Sequence, residues 1–160
     1  MNRLITLFVM LCFCLCSNAS FELGKFMYED SSLGGVCISL KSGEKLSGDL
    51  VIPSTVTYDG TTYTVTEVKA NAFISTDITS VVVPETVKEV GKSAFAFCSS
   101  LVSASLKGTT NLGSDAFVQC ILLQTVELSD ELDYIRPGTF YYCSSLKNIN
   151  VPKNLKQIGS

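Results

Sequence analysis

The sequence predicts a β-rich solenoid of short coils, 22–23 residues each, with an N-terminal β-hairpin cap and little helix. Three observations carry that reading. First, a small residue precedes phenylalanine at Ala72-Phe73, Ala94-Phe95, Ala116-Phe117 and Thr139-Phe140, at intervals of 22, 22 and 23. Second, Cys98, Cys120 and Cys143 follow the last three phenylalanines by three residues. Leu101, Leu123 and Leu146 come three residues later still, with Ile78 as their slightly early counterpart in the first copy. Third, each copy then alternates, with Val81 and Val83, Ala104 and Leu106, Val126 and Leu128, and Ile149 and Val151 as its apolar members. Such alternation makes a half-buried strand. The period leaves room for that strand, a turn and a short return, and none for a long helix. One coil cannot bury its own apolar side, so coils stack and cover one another. Equivalent side chains then form columns with a spacing of about 4.7–4.9 Å.

At the N-terminus, Met1-Asn2-Arg3 supplies a positive charge and Leu4 to Cys16 is an apolar run interrupted only by Thr6. Ser17-Asn18-Ala19 then offers small residues before a cut at Ser20. Residues 1–19 read as a secretory signal peptide, since the run is shorter than the roughly 20 residues a membrane span needs. Its removal takes Cys12, Cys14 and Cys16 and leaves Cys37, Cys98, Cys120 and Cys143. Residues 20–65 are expected to form a β-rich cap over the first coil. Within them Phe26 to Leu40 supplies a strand or two, and Leu50-Val51-Ile52-Pro53 is a degenerate strand of the repeat type. Val56 to Val65 is a hairpin whose Asp59-Gly60 suits a type I′ turn, with Val56 facing Tyr63. Residues 66–160 are the repeats, the last of them incomplete, because Gly159-Ser160 falls where the next small-Phe pair is due. An apolar edge of Leu146, Ile149 and Val151 is then expected, either as that of a truncated chain or as one that two copies cap by pairing end to end.

Composition narrows the chemistry. The chain has 160 residues, 46% of them apolar and 17% charged, with a net charge of −3, which fits one domain with a sizeable core. It contains no histidine, which excludes Ser-His-Asp and Cys-His catalysis and histidine metal sites. A weakly acidic chain has no electrostatic case for nucleic acid or anionic lipid. Asp130-Glu131-Leu132-Asp133 lacks the spacing of a calcium loop and reads as a solvated turn. Gly34-Gly35 reads as a turn rather than a phosphate cradle. No cofactor or metal is implied. Cys98, Cys120 and Cys143 share one repeat position, and side chains in a ladder point the same way, which favours a thiol column, with a disulfide as the alternative.

The repeated residues resemble the BspA-like leucine-rich repeats of secreted and surface proteins. The resemblance is carried by Ile78-Thr79-Ser80-Val81-Val82-Val83-Pro84, followed by Val87-Lys88-Glu89-Val90-Gly91-Lys92-Ser93-Ala94-Phe95-Ala96-Phe97-Cys98. It covers about residues 65–160. Lys107 and Ser129 depart from the pattern's proline, Arg136 from its glycine and Thr139 from its alanine, and looser turns are expected there.

The surface left outside is the candidate binding strip: Ser80 and Val82, Ser103 and Ser105, Thr125 and Glu127, Asn148 and Asn150. These positions vary while the inward ones do not, as on a repeat frame that presents a ligand surface. Phe73, Phe95, Phe117 and Phe140, with Cys98, Cys120 and Cys143, are assigned to the core ladder. The resemblance implies a non-enzymatic, secreted or cell-surface module that recognises an extracellular protein or glycan, with adhesion as its role. A structural spacer without a ligand is the alternative reading, and a carbohydrate-active enzyme a third.

Overall fold

The computed structural model describes residues 20–159; the signal-peptide reading of residues 1–19 lies outside them. The N-terminal part holds β1 (Ser20–Leu23), β2 (Phe26–Asp30), β3 (Val36–Leu40), β4 (Ser47–Val51), β5 (Thr55–Tyr58) and β6 (Thr61–Val68). From there each coil contributes a longer strand and a short one. These are β7 (Asp77–Val82) with β8 (Glu89–Val90), and β9 (Ser103–Leu106) with β10 (Asn111–Leu112). β11 (Thr125–Leu128) with β12 (Tyr134–Ile135), and β13 (Asn148–Ile149) with β14 (Gln157–Ile158), complete the series. No helix occurs among the described residues, and the fold is the β-rich repeat architecture that the period requires.

The longer strands form one parallel sheet in the order β13-β11-β9-β7-β4. Its register aligns Ser80, Ser103, Thr125 and Asn148 in one row. β4 extends that row by pairing in parallel with β7, so the degenerate strand Leu50–Pro53 is the first rung of the sheet. The second sheet begins as an antiparallel meander of β1, β2 and β3 and becomes parallel from β3 through β6 and β8 to β10. β6 serves twice. Residues Thr61–Thr64 close the hairpin with β5, Val56 opposite Tyr63, while Val65, Glu67 and Val68 enter the second sheet. At the hairpin tip Asp59 and Gly60 both have positive φ, 47° and 74°, as a type I′ turn demands.

Between the sheets, Phe73, Phe95, Phe117 and Phe140 stack ring on ring. Their centroids are 5.5, 5.3 and 5.7 Å apart, and adjacent planes lie within 11° of parallel. The first three rings are fully buried, whereas Phe140 is half-buried at the end of the column. The turn carrying these rings also bonds coil to coil: the amides of Phe73, Phe95 and Phe117 donate to the carbonyls of Ala94, Ala116 and Thr139 at 2.8–2.9 Å. Two residues per turn take left-handed backbone. One series is Asn71, Ser93, Asp115 and Gly138, the other Ser75, Phe97, Gln119 and Tyr142, with φ between 54° and 70°.

Not every departure from the repeat loosens its turn. Ser129 and Thr139 are buried; the Ser129 hydroxyl accepts from the Glu131 amide at 3.2 Å, and the Thr139 hydroxyl donates to the Arg136 carbonyl at 2.7 Å. At Arg136, by contrast, the second sheet is interrupted: β12 pairs with β14 in a separate ladder, and among the described residues no ladder joins β10 to β12.

Candidate recognition surface

The outward face of the first sheet carries two rows of side chains. One runs Asp49, Ser80, Ser103, Thr125 and Asn148; the other runs Val51, Val82, Ser105 and Glu127, with Asn150 just beyond β13. All eight sequence-derived positions therefore lie on or beside one face, but they are not equally available. Asp49 accepts hydrogen bonds from Ser80 at 2.6 Å and Thr79 at 2.9 Å, and these two hydroxyls hold its carboxyl below the usual range. Glu127 accepts from Ser105 at 3.0 Å and pairs with Lys107 at 3.2 Å. Lys107 first, and Ser105 after it, lowers the Glu127 pKa.

Asn150 is committed to the fold. Its side-chain oxygen accepts from the Leu128 amide at 2.6 Å and its amide nitrogen donates to the Leu128 carbonyl at 2.9 Å. The side chain thus copies the pair of bonds that a neighbouring strand would make. What remains uncommitted among the described residues is Ser103, Thr125 and Asn148 in one row, with the exposed Val82 beside them. At the C-terminal ends of β9 and β11 the face sinks into an open depression of about 840 Å³, whose walls include Lys107, Thr125, Glu127, Glu131, Lys147 and Asn148. The acidic turn that follows is tied to the next coil, Asp130 pairing with Lys153 and Asp133 with Lys156.

Cys98, Cys120 and Cys143 stand in one column, and all four described cysteines, Cys37 included, are free thiols. Cys98, Cys120 and Cys143 donate to the carbonyls of Phe73, Phe95 and Phe117, each at 3.1 Å. Thr76 holds the same place in the first coil: its hydroxyl bonds the Phe73 carbonyl at 2.9 Å and lies 3.3 Å from the Cys98 sulfur. The neighbouring Cys98 sulfur, and burial after it, raises the Cys120 pKa, while the Cys120 sulfur beside it lowers that of Cys98. Burial pushes Cys143 up to about 11. Cys37 is buried on β3, where desolvation and then the Glu67 and Glu29 carboxylates raise its pKa.

Two features escape the sequence reading. Asp49 and Val51 belong to the outward rows; the signal was Leu50 and Ile52 pointing inward around Val51. The second feature is a stripe of exposed apolar side chains on the turns. Ile74, Phe97, Ile121 and Leu122 lead to Tyr141 and Tyr142, which are each 61% exposed and whose rings lie edge to face at 4.4 Å. The signal there was an apolar residue one or two places after the small-Phe pair at Ile74, Phe97, Tyr141 and Tyr142, and four or five places after it at Ile121 and Leu122, where a solvated turn needs none.

Comparison with known proteins fits this geometry. Residues 66–160 match the family described as BspA type leucine rich repeat region (6 copies). Among solved structures, a leucine rich cell surface protein of Faecalibacterium prausnitzii is similar over 89% of this chain and 45% of its own, with 24% identity and a TM-score of 0.63. The pneumococcal vaccine antigen PcpA is similar over 89% of this chain and 46% of its own, at 19% identity and a TM-score of 0.58. The Treponema pallidum (T. pallidum) leucine rich repeat protein TpLRR is similar over 88% of this chain and 82% of its own, at 22% identity and a TM-score of 0.55. The chain thus spans about half the length of the first two. These likenesses concern the fold. No curated protein matches the chain. With its stacked rings, parallel rungs and a match over most of its length, the chain belongs to the BspA-type leucine-rich repeat family.

Proposed function

We propose that this protein is a secreted or cell-surface recognition module, non-enzymatic, that adheres to an extracellular glycan or protein through the outward face of its first sheet. The observation that carries the reading is the row Ser103, Thr125 and Asn148, whose hydroxyl and amide groups have no partner among the described residues. Their neighbours on the same face are paired, so these three are the groups that a ligand meets without breaking an existing bond. Four to five strands at about 4.8 Å make a strip some 15–20 Å wide, and a standard protein interface needs about 800 Å² on each partner. The strip alone therefore suits a short glycan or a contact repeated over several copies.

The apolar turn stripe favours a second contact surface. Exposed tyrosine and phenylalanine on a nearly uncharged ridge have the composition of a protein interface core. The test is binding of the chain to immobilised extracellular-matrix proteins and mucin-type glycans. The triple substitution Ser103→Lys, Thr125→Lys, Asn148→Lys is expected to abolish binding with fold and melting retained. If only Tyr141→Ser with Tyr142→Ser does so, the turn stripe is the contact surface and the sheet face is not. Binding undisturbed by both, or none at all, leaves the protein a spacer and refutes the proposal.

A further inference from the structure

We propose that the seam between β10 and β12 is a hinge, created by Arg136, about which the last two coils move against the rest. In the second sheet the amide at one repeat position binds the strand before it: Lys69 to the Ile38 carbonyl at 3.1 Å, Gly91 to Val68 at 2.8 Å, Gly113 to Val90 at 2.8 Å, and Gly159 to Ile135 at 2.7 Å. Arg136 occupies the same repeat position, yet among the described residues its amide makes no bond to Leu112 and β10 has no ladder to β12.

The cause is a single carbon. A Cβ on Gly113 would stand 2.5 Å from the Gly91 carbonyl carbon and the Lys92 nitrogen. On Gly91 it would stand 2.5 Å from the Ala70 nitrogen, and on Gly159 2.5 Å from the Pro137 nitrogen. All of these are backbone atoms of the neighbouring coil, which cannot swing aside as the tip of a side chain can. Lys69, at the same repeat position, reaches the Ile38 carbonyl of the cap strand β3 at 3.1 Å. Between one repeat coil and the next, however, the approach seen at Gly91, Gly113 and Gly159 leaves no space for a Cβ, and the Cβ of Arg136 holds β12 off.

The other sides of the same junction stay closed. In the first sheet β11 and β9 pair over Thr125–Ser103 to Leu128–Leu106. On the turn side the amides of Asp115, Phe117 and Gln119 donate to Pro137, Thr139 and Tyr141 at 3.2, 2.9 and 2.8 Å. Two closed edges and one open edge define an axis. Among the described residues only side chains are seen to bond across the opening: the Arg136 guanidinium donates to the Asn111 side-chain oxygen at 3.1 and 3.3 Å while lying 5.7 Å over the Tyr134 ring. Both partners are at the surface, where such a clip opens readily. β12 and β14 remain paired and move together. The depression on the first sheet takes Lys107 from one side of the seam and Thr125, Glu127, Lys147 and Asn148 from the other, so its width follows the hinge.

Amide hydrogen exchange and spin-label distances test this on the full chain. In the wild type the Arg136 amide is expected to exchange about tenfold or more faster than those of Gly91 and Gly113, after correction for intrinsic rates, as one missing ladder bond implies. Arg136→Gly is expected to slow that amide about tenfold, and Arg136→Ala, which removes the guanidinium but keeps the Cβ, to leave it fast. Nitroxides at Lys69 and Lys156, about four rungs or 19 Å apart along the stack, are expected to give a broad distance distribution that narrows in Arg136→Gly. Protection at Arg136 equal to that at Gly113, slowing by Arg136→Ala as large as by Arg136→Gly, or a breadth that Arg136→Gly leaves unchanged would each overturn the hinge.

Discussion

Consider Phe95 and Phe140 each replaced by leucine. Leucine keeps most of the buried hydrocarbon and removes the ring, so the change isolates stacking from burial. Phe95 has two ring neighbours, Phe73 at 5.5 Å and Phe117 at 5.3 Å, both near parallel, while Phe140 has Phe117 alone at 5.7 Å. A ring pair contributes about 0.5–1.5 kcal/mol beyond its burial. Phe95→Leu is therefore expected to cost about 1–3 kcal/mol and Phe140→Leu about half as much. Against a total stability of about 5–15 kcal/mol both variants stay folded. The chain has no tryptophan and six tyrosines, so urea unfolding is followed by tyrosine fluorescence and checked by circular dichroism. With a urea slope of about 1–3 kcal/mol/M, Phe95→Leu lowers the midpoint by about 1 M at an unchanged slope. Equal costs at the two positions, or a Phe95→Leu chain within about 0.5 kcal/mol of the parent, would show that the column is filled space and not a set of coupled contacts.

Other outcomes follow from the turns and the thiols. Gln119 holds φ at 58° with its side chain exposed; a left-handed non-glycine residue costs about 1–2 kcal/mol and glycine's unfolded-state freedom returns about 0.5–1. Gln119→Gly should then raise stability by about 0.5–1 kcal/mol, and a lower urea midpoint would refute the strain assigned to that turn. Native protein should leave Cys37, Cys98 and Cys120 unmodified by a bulky thiol reagent and react slowly at Cys143, whereas denatured protein should react at all four described cysteines. With its pKa near 11, Cys143 should react faster by about tenfold for each pH unit between 8 and 10. The linkage has a definite sign. Above about pH 8.5 the unfolded chain loses a thiol proton that folded Cys143 keeps, so stability falls as pH rises through that window and is unaffected below it.

How much of this was legible in the sequence depended on whether a residue repeats. Phe73, Phe95, Phe117 and Phe140 could be placed in a column because each recurs with its small neighbour in register, and Asp59-Gly60 named its own turn. The second sheet was hidden, since β8, β10, β12 and β14 have two residues each, too few to show alternation. Residues 20–65 gave no hint that β3 would lie parallel to β6, because a contact across nearly thirty residues leaves no local pattern. The left-handed turn residues were equally silent: Ser75, Phe97, Gln119 and Tyr142 share a conformation and no chemistry. On the candidate face the outward positions could be named by alternation, but their commitments could not. That Asn150 spends its amide on Leu128 and Glu127 its carboxyl on Lys107 depends on which side chain stands on the next rung.

The cysteine column shows why spacing and chemistry must be read together. Cysteines recurring at one repeat position suggest cross-links, yet each thiol of the column answers a local need. The carbonyl of Phe95 accepts from the Cys98 amide at 3.4 Å and, on its other side, from the Cys120 thiol at 3.1 Å. Phe117 repeats the arrangement with Cys120 and Cys143. A buried carbonyl with one poorly met bond is costly, and the space beside a stacked ring admits only a small side chain. Cysteine meets both demands as a small, weakly polar donor. Thr76 departs in partner as well as in identity: its hydroxyl donates to the Phe73 carbonyl of its own coil, the same carbonyl that accepts from the Cys98 thiol of the next. The position therefore selects a compact donor beneath the next ring, and sulfur is retained for its size and its hydrogen, not for its capacity to form a bridge.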